Sequence, residues 1–299
     1  MAEDVQESLT ERRLERYRGA DRWPAEECLA AMLESQTHAF AAVRAALPDL
    51  ARAAEAAAAR LRGGRGRLIY TGAGSSGRIA VQDGVELWPT FSWPPERLAF
   101  LLAGGEGALL RAAEGAEDDV KAARREIAAL APEPPDVHIA VAASGSTPFV
   151  REAQAEARRR GALTIAFACN PGSPLLEEAE LPVPLATGPE FLAGSTRMTA
   201  GTAQKIALNL LSTRIMIALG RVYEGRMVAL VPANAKLRER ARRMVAELTG
   251  APPEAAGEAL ERAGGDVRRA VLILDGLSPE EAAQRLATAE GDLRRARGR

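Results

Sequence analysis

Between Arg67 and Arg78 the chain reads R-L-I-Y-T-G-A-G-S-S-G-R, and no other stretch constrains the fold as much. Leu68-Ile69-Tyr70 is an apolar run suited to a buried strand. It leads straight into Gly72-Ala73-Gly74-Ser75-Ser76-Gly77, and Ile79-Ala80-Val81 then opens a helical pattern. A strand that turns through glycines into a helix N-terminus presents free backbone N–H groups and the positive end of the helix dipole. That geometry binds anions, phosphate above all. Gly77 is followed by Arg78 and not by Lys-Ser/Thr, so the Walker pattern is absent. The glycines at 72, 74 and 77 leave a dinucleotide site open, and an ordinary tight turn is the plain alternative.

Two further clusters repeat the theme. Asp136 to Ala143 is a second apolar run, followed by Ser144-Gly145-Ser146-Thr147-Pro148, with Pro148 suited to the first turn of a helix. Gly194-Ser195-Thr196-Arg197 opens the longest helical pattern, running to about Leu219. Three hydroxyl-rich turns at helix starts suit one small phosphorylated ligand gripped from several loops of an open sheet. Ser76, Ser144 and Ser195 are expected to line one pocket, with Ser75, Gly145, Ser146, Thr147 and Thr196 beside them. Lysine occurs only at 121, 205 and 236. Lys205, about three turns after Ser195, is either a chance surface residue or a compact charge placed near a phosphate.

Composition removes other classes. With 39 basic and 40 acidic residues the formal net charge is -1, which points to neither nucleic acid nor an acidic membrane as partner. No apolar run is long enough for a membrane span, and Met1-Ala2-Glu3-Asp4 is not a signal peptide, so the expected location is the cytoplasm. Cys28 and Cys169 are the only cysteines, and His38 and His138 the only histidines. A structural disulfide, a metal site or a Ser-His-Asp triad has little material to work with, and no cofactor is expected.

Strands are expected at 68–70, 98–102, 137–141, 163–167 and 181–185, with helices near 76–86, 106–129, 148–160, 173–179 and 195–219. This alternation predicts an α/β fold, a parallel sheet with helices on both faces. Residues 1–57 read as a helical segment and 58–222 as the sheet domain. Residues 223–299 are broken at Gly250, Pro252-Pro253, Gly264-Gly265 and Ser278-Pro279. They read as a small three-helix unit whose arginine-rich end is a solvated tail. Glu86 closes the helix begun at the first loop, and Glu117 stands in an expected helix break. Both are placed to reach the mouth of the sheet. Two carboxylates of different acidity are what acid–base chemistry at carbon requires.

The motifs G-A-G-S-S-G-R (72–78), A-G-G-E (103–106), E-G-A-E-D (114–118), A-A-S-G-S-T-P-F-V (142–150), C-N-P-G-S (169–173) and G-S-T-R-M-T-A-G-T-A-Q-K (194–205) occur in order. Together they resemble those of the N-acetylmuramic acid 6-phosphate etherase family. These are bacterial enzymes built on a sugar-isomerase (SIS) domain and similar to the glucokinase regulatory protein. The resemblance implies an SIS-type sheet, a sugar-phosphate substrate, a C-terminal bundle like ubiquitin-associated domains, and catalytic glutamates at Glu86 and Glu117. Glu86 follows from aligning D-G-V-E-L-W-P-T-F with the family's D-A-S-E-C-P-P-T-F. Here Leu87-Trp88 replaces Cys-Pro, and Ser35-Gln36-Thr37-His38 replaces an acidic pair. The implied reaction is cleavage of the lactyl ether at carbon 3, with Glu117 as base at carbon 2 and Glu86 as proton donor, made drier by Trp88 and Trp93. The reverse assignment of the glutamates is the alternative. Two SIS-type rivals are a non-catalytic sugar-phosphate sensor and an aldose–ketose isomerase. A dehydrogenase fits least, because strand 98–102 ends on Ala103-Gly104-Gly105 with no acid to hold a ribose. SIS domains commonly pair, and a homodimer with the site near its interface is expected.

Overall fold

The computed structural model describes residues 8–298. Five strands, β1 (Leu68–Gly72), β2 (Leu98–Leu102), β3 (Val137–Val141), β4 (Leu163–Ala168) and β5 (Leu181–Pro184), form one parallel sheet ordered β2-β1-β3-β4-β5. The chain leaves β1 toward one edge and β3 toward the other. A crevice therefore opens beyond their C-terminal ends, where open parallel sheets bind ligands. The register sets Gly72 of β1 beside Leu102 of β2 and Val141 of β3, so all three strands stop at one level.

Both faces of the sheet are covered, which is why its strands read as nearly unbroken apolar runs. Alternate residues serve opposite faces. Leu68, Tyr70, Val137, Ile139 and Val141 join a core with α1 (Ala25–Ala45), α2 (Leu47–Leu61), α3 (Gly74–Val85) and α8 (Thr199–Ala218). Ile69 and Ala140 face a second core with α5 (Val120–Leu130) and α6 (Pro148–Arg159). The short helices α4 (Leu87–Phe91) and α7 (Pro174–Glu177) complete the sheet domain. The close seat of α3 on β1 depends on two glycines. A Cβ on Gly72 would lie 2.6 Å from Gly77 Cα, and one on Gly77 would lie 2.3 Å from Leu102 Cδ1.

Four expectations need correcting. The helix expected over 106–129 is only Val120–Leu130, preceded by single turns at Glu106–Leu109 and Ala116–Asp118. Gly115 adopts φ 71°, and Asp119 caps α5 by accepting from Ala122 N at 2.9 Å, so the helix starts there. The long helix begins at Thr199, four residues after Ser195. Beyond residue 234 there are five helices where three were expected: α9 (Ala235–Thr249), α10 (Pro253–Arg262), α11 (Val267–Leu274), α12 (Pro279–Thr288) and α13 (Leu293–Ala296). Asn234, Asp266, Ser278 and Asp292 each cap the helix that follows, so the interruptions separate true helices. These helices share their own apolar cluster, including Val245, Leu260, Val271 and Leu286. Nor is the end a free tail within the described residues. Arg297 is ion-paired to Asp275 at 2.9 Å, and the Arg294 guanidinium lies 5.0 Å from the Tyr223 ring centre.

His138 is a core residue, fully buried in β3, with Nε2 2.8 Å from Thr71 Oγ1. Burial pushes its pKa down from 6.5 to about 3. The unfolded chain therefore takes up a proton below pH 6.5 that the native protein refuses. The native state keeps this advantage above that pH and loses it as the pH falls toward 3. Between pH 6.5 and 5 the expected loss is about 2 kcal/mol of unfolding free energy. Urea unfolding at pH 7 and pH 5 checks it. His138→Asn should show a smaller drop by that amount, and equal drops in the two proteins would refute the assignment.

Candidate functional site

A cavity of about 380 Å³ opens at the C-terminal ends of β1 and β3. Gly74, Ser75 and Ser76 come from the first turn of α3, Ser144, Ser146 and Thr147 from the loop after β3, and Thr196 from the approach to α8. Glu117 and Asp118 reach it from the turn before α5, and Glu11 from the N-terminal segment. In α3 the Gly77 N–H donates to Ala73 O at 3.0 Å. The amides of Gly74, Ser75 and Ser76 precede that bond, so no helical carbonyl serves them. The loop after β3 is held tightly. Gly145 has φ 71°, and a Cβ there would lie 2.0 Å from Ser173 Oγ, so only glycine fits. Ser144 Oγ accepts from Ser146 N at 3.2 Å and lies 3.4 Å from Thr147 Oγ1.

Asn170, from the C-N-P-G-S run, fastens this loop to the N-terminal segment. Its side-chain amide donates to the carbonyls of Ala143 (3.3 Å) and Ser144 (3.2 Å), and to Thr10 Oγ1 (3.2 Å). Thr10 N donates back to Asn170 Oδ1 at 3.3 Å, and Thr10 O accepts from Gly194 N at 2.9 Å. One buried amide thus ties three segments around the cavity, and Glu11 sits where it does because Thr10 is anchored.

Three of the expected site residues lie elsewhere. Ser195 does not line the cavity, although Thr196 does. The first amides of α8, Thr199 N and Ala200 N, each donate at 2.9 Å to the fully buried Glu190 carboxylate. This helix start is already occupied by a protein anion and is not available to a ligand. Lys205 is six residues into α8, where Nζ donates to Asn209 Oδ1 at 2.5 Å. Glu86 lies at the far end of α3, about 15 Å along the helix axis from Ser76.

Glu86 lines a second cavity of about 440 Å³ with Leu87, Phe91, Asn209, Ile217, Val222 and Met227. Glu86 itself is exposed, and the tryptophans expected to keep it dry do not line this cavity. Trp93 is buried away from this cavity, its Nε1 donating to Arg97 O at 2.9 Å, and Trp88 is 44% exposed. Beside Glu86, the carboxylate of Asp83 accepts from Tyr70 Oη (2.9 Å), Asn209 Nδ2 (2.6 Å) and Ser212 Oγ (3.0 Å). Burial raises the Asp83 pKa despite these three donors. Lys205 ends this network through its bond to Asn209.

Residues the sequence did not single out as parts of the site include Glu11, Asp118, Asn170 and Glu190. Asp118 and Asn170 sat inside motifs already noted. Glu190 carried no local signal, because its role depends on the helix start it caps nine residues on.

The comparisons agree with this architecture. Residues 49–156 match the glucokinase regulatory protein N-terminal SIS domain, and residues 122–214 the SIS domain. An N-acetylmuramic acid 6-phosphate etherase of Deinococcus radiodurans is 52% identical over 252 residues, covering 84% of this chain and 82% of that protein. One of Rubrobacter xylanophilus is 45% identical over 268 residues, covering 90% and 89%. One of Salmonella choleraesuis is 45% identical over 248 residues, covering 83% of each. Identity of that order, along most of both partners, makes the chain a member of the N-acetylmuramic acid 6-phosphate etherase family.

Proposed function

We propose that this protein cleaves the lactyl ether of N-acetylmuramic acid 6-phosphate, giving N-acetylglucosamine 6-phosphate and D-lactate. The observation that carries the proposal is the cavity in which Ser75, Ser76, Ser144, Ser146, Thr147 and Thr196 surround a space shared with the Glu117 carboxylate. The hydroxyls and the free amides of α3 suit the phosphate on carbon 6. An open-chain sugar then extends toward Glu117. Its carbon 1 aldehyde acidifies the proton on carbon 2, and Glu117 removes it. The C–H electron pair becomes a carbon 2–carbon 3 double bond, the carbon 3–oxygen bond breaks, and the leaving oxygen takes a proton from Glu86. Water then adds at carbon 3, giving its proton to Glu86, while Glu117 returns a proton to carbon 2. This is general acid–base catalysis by two carboxylates. The reaction belongs to amino-sugar catabolism and cell-wall recycling in the cytoplasm. Among the described residues no helix is long and apolar enough to cross a membrane.

The scheme needs Glu86 and Glu117 at one substrate, and within one chain they line different cavities. A homodimer that sets Glu86 of the partner subunit against the Glu117 cavity resolves this. Its support is the apolar surface left open. Leu29, Leu33 and Phe40 on α1 are 64%, 73% and 67% exposed, and Leu210 and Ile217 on α8 and Val85 beside Glu86 are also exposed. A soluble chain gains by covering such a face.

The direct test is a lactate assay on the purified protein with N-acetylmuramic acid 6-phosphate. Tight binding without lactate release would favour a sensor, and interconversion of glucosamine 6-phosphate or fructose 6-phosphate an isomerase. Ser144→Ala removes one hydroxyl from the phosphate grip and should weaken substrate binding by about 1.5–3 kcal/mol. The expected result is a KM raised at least tenfold, with kcat changed far less. An unchanged KM would place the phosphate elsewhere.

A further inference from the structure

A second chamber of about 230 Å³ adjoins the serine-lined cavity and shares Ala73, Gly74, Ser75 and Glu117 with it. Its remaining wall is a patch of methyl groups, from Ala103, Ala108, Ala112, Ala113 and Ala116, together with Gly115 and the charged Arg78 and Glu114. Arg78 braces this wall. Arg78 Nε donates to the carbonyls of Ala108 (2.9 Å) and Leu109 (3.2 Å), and Nη2 to that of Arg111 (3.3 Å). Gly104, with φ 85°, lets the wall close up, since a Cβ there would lie 2.5 Å from Ala113 Cβ. A small recess with five alanine methyls in its wall, reached past a carboxylate, selects by shape.

Resting on the etherase reading, we propose that this chamber holds the acetamido group on carbon 2, and that Ala112 and its neighbours set the size of acyl group accepted. The carbon that loses its proton to Glu117 is the carbon that bears the acetamido group, so that substituent must leave the ring carbon beside Glu117. The chamber meets the serine-lined cavity at Glu117, with Gly74 and Ser75 on their common boundary. Its chemistry fits a neutral acyl methyl, which gains by burial among other methyls. It fits the other candidate substituent, the lactyl carboxylate, less well, because Glu114 and Glu117 both line it and the one cation there, Arg78, is already engaged by three backbone carbonyls. An anion placed there would meet two like charges against that one guanidinium.

The test compares substrates bearing N-acetyl and N-propionyl groups, with lactate release as the readout, for the wild type, Ala112→Leu and Ala112→Gly. One methylene in a close-fitting pocket is worth roughly tenfold or more in kcat/KM. Ala112→Leu should lower kcat/KM for the propionyl substrate at least tenfold more than for the acetyl substrate. Ala112→Gly should shift the ratio the other way. Equal changes for both substrates would overturn the chamber assignment while leaving the etherase reading intact. So would rescue of Ala112→Leu by a glycolyl ether lacking the lactyl methyl, since the lactyl group would then be the occupant. No lactate from the wild type with either substrate would overturn both. Matching thermal unfolding of the three proteins excludes a folding defect as the cause.

Discussion

Glu117→Gln should release no lactate and should also leave the substrate's carbon 2 proton in place when incubated in deuterated water. Glu86→Gln should release no lactate either, yet should still exchange that proton. The difference follows from the order of bond changes. Proton removal at carbon 2 needs only the base, whereas loss of lactate also needs a donor for the leaving oxygen. Each loss should reach the roughly 10²–10⁴-fold range of a general acid or base. Glutamine keeps the size and hydrogen-bonding shape of glutamate, so both variants should fold, which circular dichroism checks. Proton NMR of the substrate in deuterated buffer reads both outcomes at once. Exchange that survives in Glu117→Gln and vanishes in Glu86→Gln would reverse the two roles. Full lactate release by both would place the chemistry elsewhere.

Mixing these two inactive proteins should restore activity. If each site takes Glu117 from one subunit and Glu86 from the other, a mixed dimer carries one site with both substitutions and one with neither. Random reassembly makes half the dimers mixed, so activity should return to about a quarter of the wild-type value, as a two-fold interface requires. The check is a lactate assay after the variants are dissociated together in dilute denaturant and returned to buffer. Each variant treated alone is the control. No recovery, with subunit exchange demonstrated by tags on the two chains, would mean both glutamates act within one chain. A monomeric mass by light scattering at micromolar concentration would contradict the dimer itself.

The sheet was legible because a strand covered on both faces must be apolar throughout, and five such runs stand out between glycine-rich turns. The serine loops were legible for a related reason. A backbone that must turn at Gly72–Gly77 or bend back at Gly145 leaves its mark in residue types that tolerate nothing else. The third loop misled because the sequence does not say what already caps a helix. Ser195 and Thr196 looked equivalent to Ser75 and Ser76, but Glu190, several residues upstream, reaches in to take the first amides of α8. The separation of the two glutamates was hidden for a different reason. Sequence order put Glu86 one helix away from the phosphate loop, and a helix is a rod, so its two ends open on different sides of the domain.

The linings of the main cavity have a consequence for how a phosphate would be held. They include Glu11, Glu117 and Asp118, and no lysine or arginine among the described residues. A phosphate ester seated there would find no counter-charge in that lining, and the adjoining chamber offers only Arg78. It is gripped by neutral hydroxyls, backbone N–H groups and the dipoles of α3 and α6, at short range and in fixed directions. Salt screens such contacts far less than it screens exposed charges. A grip of this kind recognises the number and direction of phosphate oxygens more than their charge. The nearby carboxylates oppose a fully ionised phosphate. The product carries the same phosphate as the substrate, so a hold that is directional but not strongly attractive also lets it go once lactate has left.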